Sequence, residues 1–88
     1  MQEQPITVYG TRWCIDCYRA KKILDKYQVP YHWIDINRDA DAKTIVGKIN
    51  NGKYIVPTLV FKDGSTLSEP SNQELRNKIN QEFNSQDA

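Results

Sequence analysis

Two cysteines, Cys14 and Cys17, stand three positions apart in a chain of 88 residues that contains no others. A loop that short encloses almost no chain, so a bond between them restrains the unfolded state very little. Small secreted scaffolds stapled by disulfides carry more cysteines, spread along their length. This chain must therefore fold around an apolar core, and the cysteine pair calls for a chemical explanation. Its setting narrows the choice further. Ile6-Thr7-Val8-Tyr9 is short, β-branched and aromatic, and Gly10 ends it, which reads as a strand. From Asp16 to Tyr27, Ala20, Ile23, Leu24 and Tyr27 recur at helical spacing, with Arg19, Lys21, Lys22, Asp25 and Lys26 off that stripe. The pair thus falls where a strand hands over to a helix.

The rest of the chain continues the alternation. Gln28-Val29-Pro30 stops the helix, because the residue before a proline is pushed out of helical geometry. Tyr31 to Ile36 reads as a second strand, aromatic and β-branched on both faces and so expected to be well covered. Asn37-Arg38-Asp39 supplies caps for a helix from Ala40 to Ile49, with Ala42, Ile45, Val46 and Ile49 as its buried stripe. Gly47 inside it costs up to about 1 kcal/mol relative to alanine. Asn50-Asn51-Gly52 ends that helix. Thr58 to Lys62 reads as a third strand, and Asp63-Gly64 fits a tight turn with positive φ at both positions, returning Ser65 to Ser68 as a fourth strand. Ser71-Asn72-Gln73-Glu74 is a capping box that opens a last helix, buried along Leu75, Ile79 and Phe83. Asn84 to Ala88 is expected to fray. The order is β-α-β-α-β-β-α in one α/β domain spanning 1–88, with the first two strands parallel through a right-handed crossover.

Composition removes several classes of function. The hydrophobic fraction is 39%, the charged fraction 26% and the formal charge +1, as expected of a soluble globular chain without the broad basic field that nucleic acid or a membrane surface selects. No apolar run is long enough to span a bilayer, and Met1 to Pro5 does not begin a signal peptide, so a cytoplasmic location is expected. A zinc site needs four ligands, and His32 is the only further soft one, so no metal is expected.

At a helix N-terminus, free amides stabilise an anion by about 0.3–1 kcal/mol, and cysteine pKa values fall to roughly 3.5–7.5. Cys14 is expected to be the exposed attacking thiolate. Cys17, one turn later, is expected to be the partly buried resolving thiol. Two intervening residues let a helical turn bring the sulfurs within bonding reach. Asp16 has three readings: a stabiliser of the first turn, a charge that moderates the Cys14 thiolate, or a base for Cys17. Trp13 is either an apolar anchor or a substrate contact beside the thiol.

C-x-x-C at a strand–helix junction within β-α-β is the pattern of a thioredoxin-like redox motif. Thr7-Val8-Tyr9, Trp13-Cys14-Ile15-Asp16-Cys17, Val56-Pro57-Thr58 and Asp63-Gly64-Ser65-Thr66-Leu67 resemble the glutaredoxin family, from about Ile6 to Phe83. Within it they are most similar to the mycoredoxins and related bacterial glutaredoxin-like proteins. The stretch from Val46 to Gly52 and on to Thr58 is especially similar. The resemblance implies the thioredoxin fold, with four strands in the order 2-1-3-4 and three helices. It implies thiol–disulfide exchange through Cys14 and Cys17, with electrons from a low-molecular-weight thiol such as glutathione or mycothiol as co-substrate and no bound cofactor. Partners would be that thiol and disulfide-bearing or thiolated proteins, met as a monomer. It implies a cis peptide before Pro57, where pattern alone favours a trans proline opening a strand. The co-substrate is expected in a polar groove of Arg12, Trp13, Lys53, Tyr54, Val56, Pro57 and the turn from Ser68 to Ser71.

The sequence departs from the family at two places. Thr11 stands where many members have lysine, with Arg12 adjacent, and Ser68-Glu69-Pro70-Ser71 stands where glutathione-using members have paired glycines and acidic residues. Two other readings remain open: a redoxin serving ribonucleotide reductase and recharged by thioredoxin reductase, and an iron–sulfur carrier bridging two chains.

Overall fold

The computed structural model describes residues 6–83. The expectations for Met1–Pro5 and for 84–88 lie outside the described residues, as does the side chain of Phe83. Seven elements follow in the expected order: β1 (Ile6–Gly10), α1 (Ile15–Lys26), β2 (His32–Asp35), α2 (Ala40–Ile49), β3 (Thr58–Phe61), β4 (Thr66–Ser68) and α3 (Asn72–Phe83). The sheet runs β2-β1-β3-β4. β1 is parallel to β2, with Val8 opposite Trp33, and antiparallel to β3, with Val8 opposite Leu59. β3 and β4 are antiparallel.

Side chains alternate across the two central strands, and this divides the core between two faces. Ile6, Val8, Leu59 and Phe61 point to one face, where they meet Ala20 and Leu24 of α1 and Leu75 and Ile79 of α3. Tyr9 and Val60 point to the other face, toward Ala42 and Val46 of α2. β1 and β3 are therefore covered on both sides, which is why they carry the most apolar, β-branched segments.

Local chemistry sets the element ends. α1 stops at Tyr27 because Gln28 takes a positive φ of 58° and Val29 N–H turns back to Leu24 O at 2.9 Å. Asp39 caps α2 by accepting the Ala42 N–H at 3.0 Å. The capping box of α3 forms as expected: Ser71 Oγ accepts the Glu74 N–H at 3.1 Å, and Glu74 Oε1 accepts the Ser71 N–H at 2.8 Å.

Three expectations are corrected. β2 is an edge strand, so His32 is exposed and none of its residues is fully buried. Tyr27 and Ile45, placed on the buried stripes, are exposed. Tyr27 sits past the end of α1, and the narrow contact of α2 with the sheet is already filled by Ala42 and Val46. The hairpin turn is three residues long: Thr66 pairs with Val60, Phe61 N–H donates to Ser65 O at 2.8 Å, and only Gly64, at φ 91°, is left-handed. Asp63 instead keeps a negative φ and accepts from the Ser65 N–H at 2.9 Å.

Candidate active site

β1 ends at Gly10, and four residues later Cys14 caps α1 with extended backbone (φ −106°, ψ 110°). Its carbonyl accepts the Tyr18 N–H at 3.1 Å, and its Sγ accepts the Cys17 N–H at 3.0 Å. The side-chain sulfur thus takes the capping position that a serine or aspartate oxygen usually holds. Cys14 and Cys17 are joined as a disulfide, with Cα atoms 5.1 Å apart. The two sulfurs face different surroundings: Cys14 is partly exposed, whereas Cys17 is 1% exposed and packs into the core side of α1.

Around Cys14 lies a shallow hollow lined by Arg12, Trp13, Ile15 and Tyr18. Trp13 is 89% exposed, Ile15 79% and Tyr18 61%. Trp13 is therefore no buried anchor; it stands open beside the thiol, with the Arg12 guanidinium 5.7 Å from its ring centroid. The carboxylate of Asp16 pairs with Arg19 on the exposed side of α1.

The Val56–Pro57 peptide is cis, as the resemblance implies, and Pro57 is buried. A polar network holds this segment. The Asn50 amide donates to Val46 O at 3.0 Å and to Thr58 Oγ1 at 3.2 Å, and its Oδ1 accepts the Ser68 hydroxyl at 2.6 Å. Thr58 Oγ1 donates to Ile55 O at 2.7 Å, and Glu69 N–H, at a positive φ of 50°, donates to Pro57 O at 2.7 Å.

Of the expected groove, Arg12 and Trp13 flank Cys14. Ser68 is engaged by Asn50, and Ser71 by Glu74. Tyr54 lies over Gly47 of α2, with Lys43 Nζ 4.8 Å from its ring centroid, and Lys53 is exposed with its N–H on Asn50 O at 3.2 Å. The surface at Cys14 is thus more apolar than the polar groove expected. Burial, reinforced by the Asp39 carboxylate, pushes the Tyr9 phenol up, so it stays neutral on the α2 face.

Sequence reasoning missed Asn50 and Gly10. A Cβ at Gly10 would stand 2.5 Å from Trp33 Cη2 and 2.7 Å from Cys17 Sγ. A glycine closing a strand just before a cysteine pair was a readable sign of such close approach.

A dithiol at a helix N-terminus, fed by the first strand of a β2-β1-β3-β4 sheet, defines a thioredoxin-fold protein built for thiol–disulfide exchange. Comparison with known proteins makes this specific. The glutaredoxin family model matches residues 6–65. A glutaredoxin homologue of Mycobacterium tuberculosis is 40% identical over 84% of this chain and 88% of its own length. Mycoredoxin 1 of Corynebacterium glutamicum is 36% identical over 84% of this chain and 91% of its own. The crystal structure of the thioredoxin-like protein BC3987 superposes with a TM-score of 0.73 at 28% identity, covering 82% of this chain and 96% of that one. The chain belongs to the glutaredoxin family and is a thiol–disulfide oxidoreductase.

Proposed function

We propose that this glutaredoxin is a dithiol reductant in which Cys14 attacks, Cys17 resolves and a low-molecular-weight thiol of the glutathione or mycothiol kind restores the dithiol. One observation carries the division of labour: Cys14 is partly exposed with its Sγ on a helix-start N–H, while Cys17 is 1% exposed. The amide and the helix dipole favour Cys14 as thiolate.

The thiolate attacks one sulfur of a substrate disulfide. The substrate S–S bond breaks, one substrate thiolate leaves and takes a proton from water, and Cys14 is left in a mixed disulfide. Cys17, deprotonated, then attacks the Cys14 sulfur. The second substrate thiolate leaves and is protonated, and the Cys14–Cys17 disulfide closes. Two molecules of small thiol return two electrons and two protons, leaving as their own disulfide.

The groove expected for that thiol narrows to Arg12 beside Cys14, with Lys53 as a second cation and the Val56 backbone for the peptide-like part. Ser68 and Ser71 are tied to Asn50 and Glu74, and the helix amides after Ser71 would hold a second carboxylate of the thiol. The exposed Trp13, Ile15 and Tyr18 favour disulfides in proteins as oxidised substrates, since large apolar side chains are enriched at protein contacts. On this reading the whole chain is one domain, acting as a monomer in the cytoplasm, where thiols are kept reduced.

The test pairs two variants with a choice of donors. Cys14→Ser abolishes all exchange. Cys17→Ser keeps reduction of small-thiol mixed disulfides, because an external thiol resolves the intermediate, and loses reduction of protein disulfides. Equal loss in both variants on a mixed disulfide overturns the roles. Wild-type turnover is then measured with glutathione or mycothiol plus its recycling enzyme, and with thioredoxin reductase alone. Fast turnover with the reductase and none with either thiol replaces the donor with a flavoprotein. A coloured, cluster-bridged dimer on purification with added thiol would favour the iron–sulfur reading.

A further inference from the structure

The core side of Cys17 is shaped by residues that the exchange chemistry at Cys14 does not touch. Gly10 closes β1, and the point where its Cβ would stand lies 2.5 Å from Trp33 Cη2, 2.7 Å from Trp33 Cζ3 and 2.7 Å from Cys17 Sγ. The indole edge and the buried sulfur therefore share one notch, which exists because residue 10 has no side chain. A sulfur beside an aromatic edge is a favourable contact, so the notch is occupied by an attractive pair.

Trp33 is held there from three directions. Its backbone is in register with Val8 on the neighbouring strand. Its ring packs against the cluster formed by β1, β3, α1 and α3. Over the ring, 3.8 Å from its centroid, lies the ammonium of Lys21, close enough for a cation–π contact. Lys21 follows Cys17 by four residues on α1, so the cation and the sulfur sit on one helix face. An edge strand has no need of a tryptophan for pairing, and the lysine could extend into solvent. The placement of the ring edge at one buried sulfur, with the lysine over the ring, is what calls for explanation.

We propose that Trp33, seated by Gly10 and covered by Lys21, is a positioning residue for Cys17 that serves the resolving step alone. The ring fills the space into which the Cys17 side chain would otherwise turn and excludes water from that side. The sulfur is thereby kept directed at Cys14, the arrangement needed to attack the Cys14 sulfur of a mixed disulfide. The first step, attack by Cys14 on substrate, takes place in the exposed hollow and does not depend on the ring. The inference rests on Cys17 as resolving thiol, the role proposed above.

That split supplies the test. Trp33→Ala is assayed on two substrates: the disulfides of insulin, whose reduction needs Cys17, and a mixed disulfide between a peptide thiol and the small thiol, which Cys14 reduces with external thiol. The expected result is insulin reduction slowed by about tenfold to a hundredfold, the scale of a small misplacement of reacting groups. Mixed-disulfide reduction stays within about twofold of wild type. Trp33→Phe, which keeps an aromatic edge at the sulfur, restores most of the lost rate. A general loss of structure would lower both activities together, and that outcome overturns the proposal, as does insulin reduction at the wild-type rate.

If Trp33→Ala does not fold, Gly10→Ala replaces it, because the added methyl must displace the indole or the sulfur; the same split is expected and the same two outcomes overturn it. Cys17→Ser is measured alongside. If it still reduces insulin, the resolving role itself is wrong. If it does not, while Trp33→Ala does at full rate, only the positioning role falls.

Discussion

Gly47 looks like a defect in α2 until its neighbour is considered. A Cβ there would lie 3.0 Å from Tyr54 Cε1, so the glycine lets the tyrosine ring rest on the helix. Two effects compete on substitution. Alanine raises helix propensity by up to about 1 kcal/mol, and the ring must shift by a few tenths of an ångström. Tyr54 is more than half exposed and free to swing outward, so propensity wins. Gly47→Ala is expected to raise Tm by a few degrees in thermal unfolding while moving the Tyr54 resonances; a lowered Tm would show that the ring is pinned. Cys14 and Cys17 were legible at this scale because their chemistry follows from spacing and the helix start. Trp33 was not, because its role depends on a notch three elements share.

The β3–β4 hairpin illustrates what an element-level pattern can and cannot fix. Asp63-Gly64 announces a turn correctly, yet the carboxylate works by accepting from Ser65, not by adopting positive φ. Hydrogen bonds from the Ser65 hydroxyl and then the Ser65 N–H hold the Asp63 carboxyl below its usual range, against the cost of desolvation and with help from the charge of Lys78. A carboxyl depressed on folding contributes stability that is complete above its unfolded pKa of about 3.9 and is lost as pH falls through the lower folded value. Asp63→Ala should therefore unfold below wild type at neutral pH, and the difference in Tm should shrink in strong acid. A difference that stays constant across that range would assign the effect to the backbone of the turn alone. β2 teaches the complementary lesson: aromatic and β-branched content marked the strand, but its edge position left His32 exposed.

Across the whole molecule, Asn50 joins segments far apart in the chain. It links the end of α2 to the start of β3, just past the cis Pro57, and to the end of β4. Replacing it with alanine removes three hydrogen bonds. Val46 O retains the Asn50 N–H, and Thr58 still donates to Ile55, so few groups are left without a partner. Asn50→Ala is expected to cost about 1–2 kcal/mol in denaturant unfolding, and Asn50→Asp at least as much, because its second carboxylate oxygen would face Val46 O and Thr58 Oγ1, which the amide supplies with a donor. An aspartate variant as stable as wild type would mean that only the acceptor for Ser68 carries the stability.

The order of elements, the cysteine pair and its place at a helix start, and the caps at Asp39 and Ser71 were all determined by the sequence itself. Each rests on periodicity or on bonds between residues at most four apart, which any short window of chain contains. Other features were decided only by the tertiary structure: how little of β2 is covered, the turning outward of Tyr27 and Ile45, the apolar collar of Trp13, Ile15 and Tyr18 around Cys14, and the seating of Trp33 against Cys17 through Gly10. These depend on how much of each face a neighbouring element covers. Coverage is set by contacts between residues distant in sequence, which no local pattern encodes.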